Sequence, residues 1–471
     1  MKKLVTLLLA AGMVFSAANG ASAVEMKVSG QWLASFTFSD NMYGKNAAAE
    51  DKYRDPVLDG SKGSFKAAQR IRINFDLAAG EYLSGRVQLQ AADVDGGNTY
   101  DWGTNGVGGA GSKVTARLAY LDWMIPTTDV LVRMGRQEVA TPSYTFGSSV
   151  LDSVVDGVMV SAPITDMVAL NVGWLRASAT LNKWEAAHEP HSSIDLAYLG
   201  VDVAADGFKV TPWGMVGFVG SEAGVVRDTT TGAIDFDKTT DFDMLGYPAD
   251  ENAMAYWAGI GGELTLFDPF TFTADFIYSG NDADGYAKRE GWYAALGAEM
   301  KLSMATPFLR GWYASGDDAD SRKSGRMLSV GKDEAGFDAS GIYFDYSAAI
   351  VGNPDICSAA GTWGVQLGVK EVSFIEDLSH QLSVTYFQGT NNTNRVTATG
   401  DFVDHRDDGP IGYMTTADSA WSIDFMNSYK LYQNLTANLL LSYLVTDFDK
   451  DVWGKDYDNI FRGTLNFTYA F

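Results

Sequence analysis

The chain has 471 residues, with 59 acidic and 35 basic side chains and a formal net charge of −24. This acidic excess excludes a nucleic-acid-binding protein as the default interpretation. The one cysteine, Cys357, excludes an internal disulfide, and the sequence beyond its first segment contains no apolar run of about eighteen residues that would predict a transmembrane helix.

The N-terminus has the layout of a secretory signal peptide. Lys2 and Lys3 precede an almost wholly apolar run, Leu4 to Phe15, and Ala21-Ser22-Ala23 follows as a small-residue cleavage motif. The apolar run is too short to span a membrane. We therefore predict export through a Sec-type signal peptide, cleavage after Ala23, and one mature domain, residues 24–471.

Alternation between apolar and polar residues is the main pattern of the mature chain. From Phe461 to Phe471, every second residue is large and apolar except Gly463, and the residues between them are polar or small. A period of two predicts a strand with two different faces. A soluble β-sandwich also has such strands, but the signal peptide and the long polar loops favour an outer-membrane barrel.

Eighteen segments follow this pattern. In chain order they are Glu25–Phe38, Phe65–Leu77, Leu83–Gln90, Lys113–Ile125, Val130–Gln137, Gly157–Ala162, Met167–Ala177, Ser193–Val203, Phe208–Val219, Met254–Leu266, Phe270–Ser279, Trp292–Leu302, Phe308–Ser315, Thr362–Lys370, Gln381–Gln388, Trp421–Lys430, Leu435–Thr446 and Asn459–Phe471.

Long and short connections alternate between these segments. Pro126-Thr127-Thr128-Asp129 and Phe267-Asp268-Pro269 are short turns, whereas Ser221–Asn252 and Gly316–Ala360 are long. An up-and-down membrane barrel requires this alternation. We predict an all-β, transmembrane, antiparallel barrel with 18 strands (16 being the alternative), short periplasmic turns, long outer loops and an aqueous channel.

Three features carry a resemblance to a known family: the A-x-A signal, the segment after Gly135-Arg136-Gln137, and the aromatic end Asn466-Phe467-Thr468-Tyr469-Ala470-Phe471. With the alternating loop lengths, they make the chain resemble the general trimeric outer-membrane porins, most of all the homotrimeric porins of sulfate-reducing Gram-negative bacteria. The resemblance covers the mature chain. It implies a homotrimer, insertion by the barrel-assembly machinery, and a third outer loop folded into the lumen. Many general porins have sixteen strands, which is a departure.

Residues 138–156 occupy the position of that third loop. They read EVATPSYTFGSSVLDSVVD, poor in charge and rich in small and apolar residues. A loop packed against an inner wall needs such residues, and a loop in bulk water does not. An ordinary surface loop with a short helix is the alternative. We predict a constriction loop whose acidic side chains in the pore are Glu138, Asp152 and Asp156.

The opposite wall of the predicted constriction is basic. Alternation places several arginines inward but turns Arg136 towards lipid, where an arginine costs roughly 2–4 kcal/mol. Either a bulge at Gly135 therefore changes the register or the strand has already left the membrane, and we expect Arg136 to reach the lumen. Opposed charges across a narrow point set ion selectivity. The predicted basic wall consists of Arg70, Arg72, Arg86, Arg117, Arg133 and Arg136.

These patterns predict a passive channel for small hydrophilic solutes and ions, with a lean to anions, including small oxyanions, because the basic wall lies at the narrowest point. The acidic loops, which favour cations, lie where salt screens them. The alternatives are a substrate-specific channel, such as one for sugars, and, remotely, a barrel-based hydrolase. His188 and His191 lack an evident third ligand, and no phosphate loop or G-x-S-x-G motif is present. We therefore expect that the protein is not an enzyme and binds no cofactor or metal. Its expected surroundings are outer-membrane lipid and lipopolysaccharide.

Overall fold

The computed structural model describes residues 24–41, 63–92, 100–103, 107, 113–179, 193–220, 252–283, 288–319, 323–331, 335–342, 358–397, 409–454 and 456–471. The predicted signal peptide with its cleavage at Ala23 lies outside the described residues. Cys357, His188, His191 and most of the acidic segment Ser221–Asn252 lie outside them as well.

One antiparallel sheet closes on itself. It has nineteen strands, of which β4 has only two residues and pairs with β2, so eighteen strands form the ring. The prediction of an eighteen-stranded antiparallel barrel is therefore confirmed over the sixteen-stranded alternative. The strands are β1 (Glu25–Asp40), β2 (Ser64–Ala78), β3 (Leu83–Ala92), β4 (Tyr100–Asp101), β5 (Lys113–Met124), β6 (Leu131–Ala140), β7 (Asp152–Thr165), β8 (Val168–Ala179), β9 (Ser193–Ala205), β10 (Phe208–Val219), β11 (Ala253–Phe267), β12 (Phe270–Asn281), β13 (Glu290–Met300), β14 (Thr306–Ala314), β15 (Thr362–Ile375), β16 (Leu378–Gly389), β17 (Ser419–Tyr432), β18 (Leu435–Asp447) and β19 (Ile460–Ala470).

The first and last strands close the ring. β1 pairs with β2 from Glu25 to Ser39, and with β19 from Gln31 to Asp40. The final residue, Phe471, exchanges two backbone hydrogen bonds with Gly30, at 2.7 and 3.0 Å. Closure leaves no unpaired edge in the ring, which a sheet in contact with hydrocarbon cannot afford.

Gly30 is needed for this closure. A Cβ built on Gly30 would lie 2.4 Å from Cζ of Phe471 and 2.7 Å from the carbonyl oxygen of Arg72. We expect Gly30→Leu to displace the end of β19 and to lower the midpoint temperature at which the barrel unfolds, read from the heat-dependent shift in electrophoretic mobility. Gly214→Leu is the control, because the atom nearest its Cβ position, the carbonyl oxygen of Trp257, lies at an ordinary contact distance of 3.6 Å. An unchanged midpoint for Gly30→Leu would contradict this account of closure.

The two faces of the sheet differ as the alternation predicts. On β12, Phe272 and Phe276 are 40% and 46% exposed. Asp275 and Ile277, which lie on the other face of the same strand, are 5% and 2% exposed. We call the side with the buried residues the inward face. The outward face carries an aromatic girdle towards the ends of the strands that bear the long connections, here called the loop end. Its members are Phe38, Phe218, Tyr256, Tyr278, Trp292, Tyr313, Trp363, Tyr386, Trp421, Tyr443 and Phe461.

Helices are few and short in the described part of the chain. They are α1 (Asn394–Thr397), α2 (Gly409–Gly412) and α3 (Lys450–Trp453), with four residues each. None of the helices described has the length and apolar composition that a membrane span requires.

Candidate functional site

The inward face of β2, β3, β5 and β6 carries a row of arginines paired with polar partners. Arg86 Nε donates to Asp76 Oδ1 at 2.6 Å, and Arg133 donates from two nitrogens to the two carboxylate oxygens of Asp122 at 2.7 and 2.8 Å. Arg72 Nε donates to Gln90 Oε1 at 2.7 Å. Arg70, Arg72, Arg86 and Arg133 lie inward as predicted from alternation.

The Arg86–Asp76 and Arg133–Asp122 pairs meet in one cavity at the end of the barrel that carries the short turns. The guanidinium carbon of Arg133 lies 4.1 Å from the ring centroid of Tyr120. A cavity of about 460 Å³ is lined there by Lys27, Asp76, Arg86, Tyr120, Asp122 and Arg133, among others. The guanidiniums are held by carboxylates in fixed positions, which keeps their charge facing the open space.

The β6–β7 hairpin departs from the wall beside β5. β5 pairs with β6 only as far as Ala119 opposite Arg136, whereas β6 and β7 continue to pair as far as Ala140 opposite Asp152. Gly135 lies at the departure with φ +121°, and a Cβ there would lie 2.3 Å from the carbonyl oxygen of Ala119. Only glycine tolerates both conditions.

Past this point the hairpin lies against the basic wall. Glu138 Oε1 accepts from Arg117 at 2.6 Å, and a second nitrogen of Arg117 donates to Gln88 Oε1 at 3.0 Å. Arg117 thus joins the inward polar residue Gln88 and the hairpin. This ion pair brings one predicted acidic residue and one predicted basic residue into direct contact.

Residues 141–151, which connect β6 to β7, contact inward side chains on distant strands. The backbone N–H groups of Tyr144 and Thr145 donate to the two oxygens of Asp275 on β12, at 2.9 and 2.8 Å. The hydroxyl of Tyr144 lies 2.7 Å from that of Thr211 on β10. Arg310 on β14 donates to the carbonyl oxygen of Thr145 at 2.8 Å.

Arg310 also fixes the aromatic side of this segment. Its guanidinium carbon lies 4.5 Å from the ring centroid of Phe146 and 5.1 Å from that of Phe308. Phe146 packs edge-on against Trp312 and lies 4.9 Å from Phe337, measured between ring centroids. The apolar residues of the segment are therefore buried against the inner wall.

A second connection also lies inside, which differs from the expectation of solvated outer loops. Between β14 and β15, the N–H of Val330 donates to Val150 at 2.9 Å, and that of Gly336 to Ser148 at 2.6 Å. Leu328 and Phe337 are fully buried. Gly316–Ala360 was predicted to be a long outer loop, but its short apolar stretches pack against the inner wall.

The base of this second connection is a buried polar cluster. Asp317 accepts hydrogen bonds from the hydroxyl of Tyr413 at 2.5 Å, from Ser324 at 2.6 Å and from the N–H of Gly325 at 2.8 Å. Burial and the neighbouring Asp317 carboxylate raise the pKa of the Tyr413 hydroxyl, so it remains a donor at neutral pH. The cluster joins the strand connections at the loop end.

Two residues that were predicted to line the pore, Arg136 and Asp156, lie on the outward face of the sheet. Arg136 is directly opposite Asp156, which is opposite Arg176, and Arg176 shares its face with the exposed Trp174. Leu175, between these two, is fully buried. Arg136 and Asp156 therefore point outward and form an ion pair at 3.1 Å. Strand pairing runs through Gly135 without a register shift, so Arg136 is not turned inward as predicted, and its cost against lipid is reduced by this partner.

The predicted boundaries of the constriction loop were also too wide. Glu138 lies on β6, and Asp152 and Asp156 lie on β7, so the connection itself spans 141–151. Asp152 is half-buried against Gly336, where an added Cβ would lie 2.5 Å from its Oδ2. The pattern of small residues hid the continued strand pairing, because Ser153, Val154 and Val155 fit both a strand and a packed loop.

Asp275 and Arg310 were missed by sequence reasoning. The alternation in FTFTADFIYSG shows that Asp275 lies at an inward position. Its partner Thr145 lies 130 residues away in sequence, so no local pattern reveals the contact. Within the described residues, no group of three or more His, Cys, Asp or Glu side chains could hold a metal ion.

No family model matches the chain, and no curated protein matches its sequence. Solved structures do match its fold. Pseudomonas aeruginosa OccK9 (OpdG) matches with a TM-score of 0.54 at 13% identity, covering 95% of this chain and 98% of that one. Acinetobacter baumannii OccAB3 matches with 0.53 at 10% identity, covering 95% and 99%. P. aeruginosa OccK2 (OpdF) in complex with glucuronate matches with 0.52 at 10% identity, covering 95% and 98%. The chain shares with them a closed, eighteen-stranded antiparallel barrel, the architecture of Gram-negative outer-membrane porins.

Proposed function

We propose that this chain forms an outer-membrane channel for the passive diffusion of small hydrophilic solutes and ions, with a preference for anions. The observation that carries the proposal is the inward row of arginines on β2, β3, β5 and β6, together with segment 141–151, which is bonded to inward side chains of β10, β12 and β14. No catalytic step is part of this function.

The charges along this wall favour anions. The inward arginines are five, Arg70, Arg72, Arg86, Arg117 and Arg133, and their carboxylate neighbours are three, Asp76, Asp122 and Glu138. The difference, 5 − 3, leaves a net charge of +2 on this set. Charges close to a narrow path act more strongly on a permeating ion than loop charges about one Debye length (~8–10 Å) away.

Reversal potentials in planar bilayers test this preference. Under a gradient of potassium chloride, the protein should give a potential of the sign set by chloride, and the sign should persist when potassium is replaced by a larger cation. A potential of the opposite sign would contradict the anion preference while leaving the channel itself intact.

A substrate-specific channel is the second candidate, and the two connections that pack inside favour it. Val150 and Ser148 on one connection bond to Val330 and Gly336 on the other, so both restrict the same lumen. The similarity in fold to OccK2 (OpdF), solved with glucuronate, makes small carboxylates reasonable candidates to test. Saturable block of the ion current by one carboxylate, and not by its neutral analogue, supports this candidate.

We further propose that the protein is a homotrimer in the outer membrane, surrounded by lipid and lipopolysaccharide and inserted by the barrel-assembly machinery. The outward face supports a subunit contact on β6–β9. Here the outward row at the loop end is Arg136, Asp156, Arg176 and Asp195, and it continues in register to Phe218 of the aromatic girdle. Paired charges suit a protein interface better than lipid.

Reversing two charges in this row tests the trimer. We expect the double variant Arg136→Asp and Arg176→Asp to give four like charges, which repel across a subunit contact, and to convert a trimer band into a monomer band on unheated gels. The matched control is Lys113→Asp, an exposed residue at the rim. A trimer band of unchanged heat resistance in the double variant would place the subunit contact elsewhere.

A further inference from the structure

The side chains of β15–β19 hold three residues of the chain's own second connection. The carbonyl oxygen of Ala339 accepts from Gln366 Nε2 at 2.9 Å and from Thr385 Oγ1 at 2.8 Å. Further along the segment, the N–H of Gly341 donates to Asp424 Oδ1 at 3.0 Å. The wall therefore recognises backbone groups, which every peptide has, at two separate points.

The same three residues make two more contacts with the wall. The carbonyl oxygen of Gly341 accepts from Arg462 at 3.3 Å, and the hydroxyl of Ser340 donates to that of Ser422 at 2.8 Å. Donors thus meet both carbonyl oxygens, and a carboxylate meets the N–H between them. We call the wall residues that make up this site the peptide cradle: Gln366, Thr385, Ser422, Asp424, Ser442 and Arg462.

Strand register builds the peptide cradle. Gln366 is opposite Thr385, which is opposite Ser422, and Asp424 is opposite Ser442, which is opposite Arg462. All six residues are at most 7% exposed. Asp424 is oriented by the wall itself, because Ser422 donates to its second oxygen at 2.9 Å. A site on paired strands with internal support is preorganised for its ligand.

The peptide cradle has room for glycine alone at its third position. A Cβ added to Gly341 would lie 2.2 Å from Ser442 Oγ and 2.5 Å from Asp424 Oδ1. Both atoms belong to short side chains on strands, which cannot swing away as the end of a lysine could. The cradle therefore selects by size at this position as well as by hydrogen bonding.

We propose that the peptide cradle is a binding site for short peptides that end in glycine, and that Ala339–Gly341 occupies it as a tethered competitor. A free peptide of this kind presents its terminal carboxylate to Arg462, where the chain presents a neutral carbonyl, and the stronger, charged hydrogen bond offsets the repulsion between that carboxylate and Asp424. Because a short tether gives an effective concentration on the order of millimolar, free peptide competes only at comparable concentrations. The inference rests on the proposed channel function.

The probe is the tripeptide Ala-Ser-Gly, with Ala-Ser-Ala as its matched control. Added to the bilayer chamber, Ala-Ser-Gly should reduce the ion current saturably, at a concentration at least about tenfold below that of Ala-Ser-Ala, because the added methyl group meets two wall atoms. Equal potency of the two peptides would overturn the proposal.

Variants separate the tether from the cradle. Gly341→Ala forces the chain's own segment out, so half-block by Ala-Ser-Gly should move to lower concentration. Adding Asp424→Ala to it should abolish the block, whereas adding Asp129→Ala, at an exposed turn residue, should not. No block of Gly341→Ala by Ala-Ser-Gly, with its ion current intact, would refute the inference and leave the channel function standing.

A second variant and a second measurement cover the remaining outcomes. If Gly341→Ala does not assemble, Ser340→Ala is the substitute. It removes the hydrogen bond from Ser340 to Ser422, which weakens the binding of the chain's own segment and leaves the wall residues unchanged. Equilibrium dialysis of Ala-Ser-Gly against the detergent-folded protein reports binding without any current. Loss of ion current in the parent protein would refute the channel function, whereas dialysis without selective binding would refute the peptide cradle.

Discussion

Replacing Asp275 with alanine should enlarge the conductance of the channel. The two oxygens of Asp275 accept from the N–H groups of Tyr144 and Thr145, and hydrogen bonds to a charged group contribute roughly 1.5–3 kcal/mol each. Loss of both therefore weakens the docking of segment 141–151 by about 3–6 kcal/mol, at least a hundredfold in the ratio of docked to undocked states. Single-channel recording should show a larger mean current with more frequent steps between levels.

Two controls distinguish this effect from general damage to the strand. Thr271→Ala removes another inward side chain of β12, four residues before Asp275 on the same face. It should leave the conductance unchanged. Asp275→Asn keeps one carbonyl acceptor and should give an intermediate current. If Asp275→Ala conducts like the parent protein, segment 141–151 does not limit the pore.

Removing the arginines of the turn-end cavity should shift ion selectivity towards cations. At about 8 Å from a permeating ion, one charge contributes roughly 0.5 kcal/mol in water and about 2 kcal/mol at an effective dielectric constant of 20. Arg86→Gln with Arg133→Gln removes two such charges and leaves Asp76 and Asp122 without their ion-pair partners. Because each charge attracts chloride and repels potassium, we expect the relative permeability of chloride over potassium to fall by at least about fivefold for each substitution.

Arg136→Gln is the matched control for selectivity. It removes the same charge from a neighbouring position on β6, but Arg136 points outward and pairs with Asp156. Its reversal potential should equal that of the parent protein. A shift in Arg136→Gln as large as in the double variant would mean that selectivity follows net charge and that the inward arginines have no special role.

The barrel was predictable because its signal is repeated many times. Each strand alone is ambiguous, but eighteen alternating segments with alternating short and long connections leave few other arrangements, and the register of β19 against β1 follows from closure. The inward arginines Arg70, Arg72, Arg86 and Arg133 came from the same period of two.

The interior was less predictable because it depends on contacts between distant residues. Arg136 follows the strict alternation outward, although the cost of a charge near lipid argued for a bulge that would turn it inward. The second connection, with Leu328 and Phe337 buried, was hidden by the acidic average over its length. Asp275 and Arg310 acquire their roles only from segment 141–151, which no local pattern connects to them.

Single-channel recording of the detergent-extracted, unheated protein tests the central claim most directly, since that claim is a water-filled path through a barrel embedded in lipid. We predict discrete, ohmic current steps after addition to a planar bilayer, and their absence with protein that has been unfolded by boiling. A protein that stays monodisperse in buffer without detergent and produces no steps in the bilayer would contradict the account.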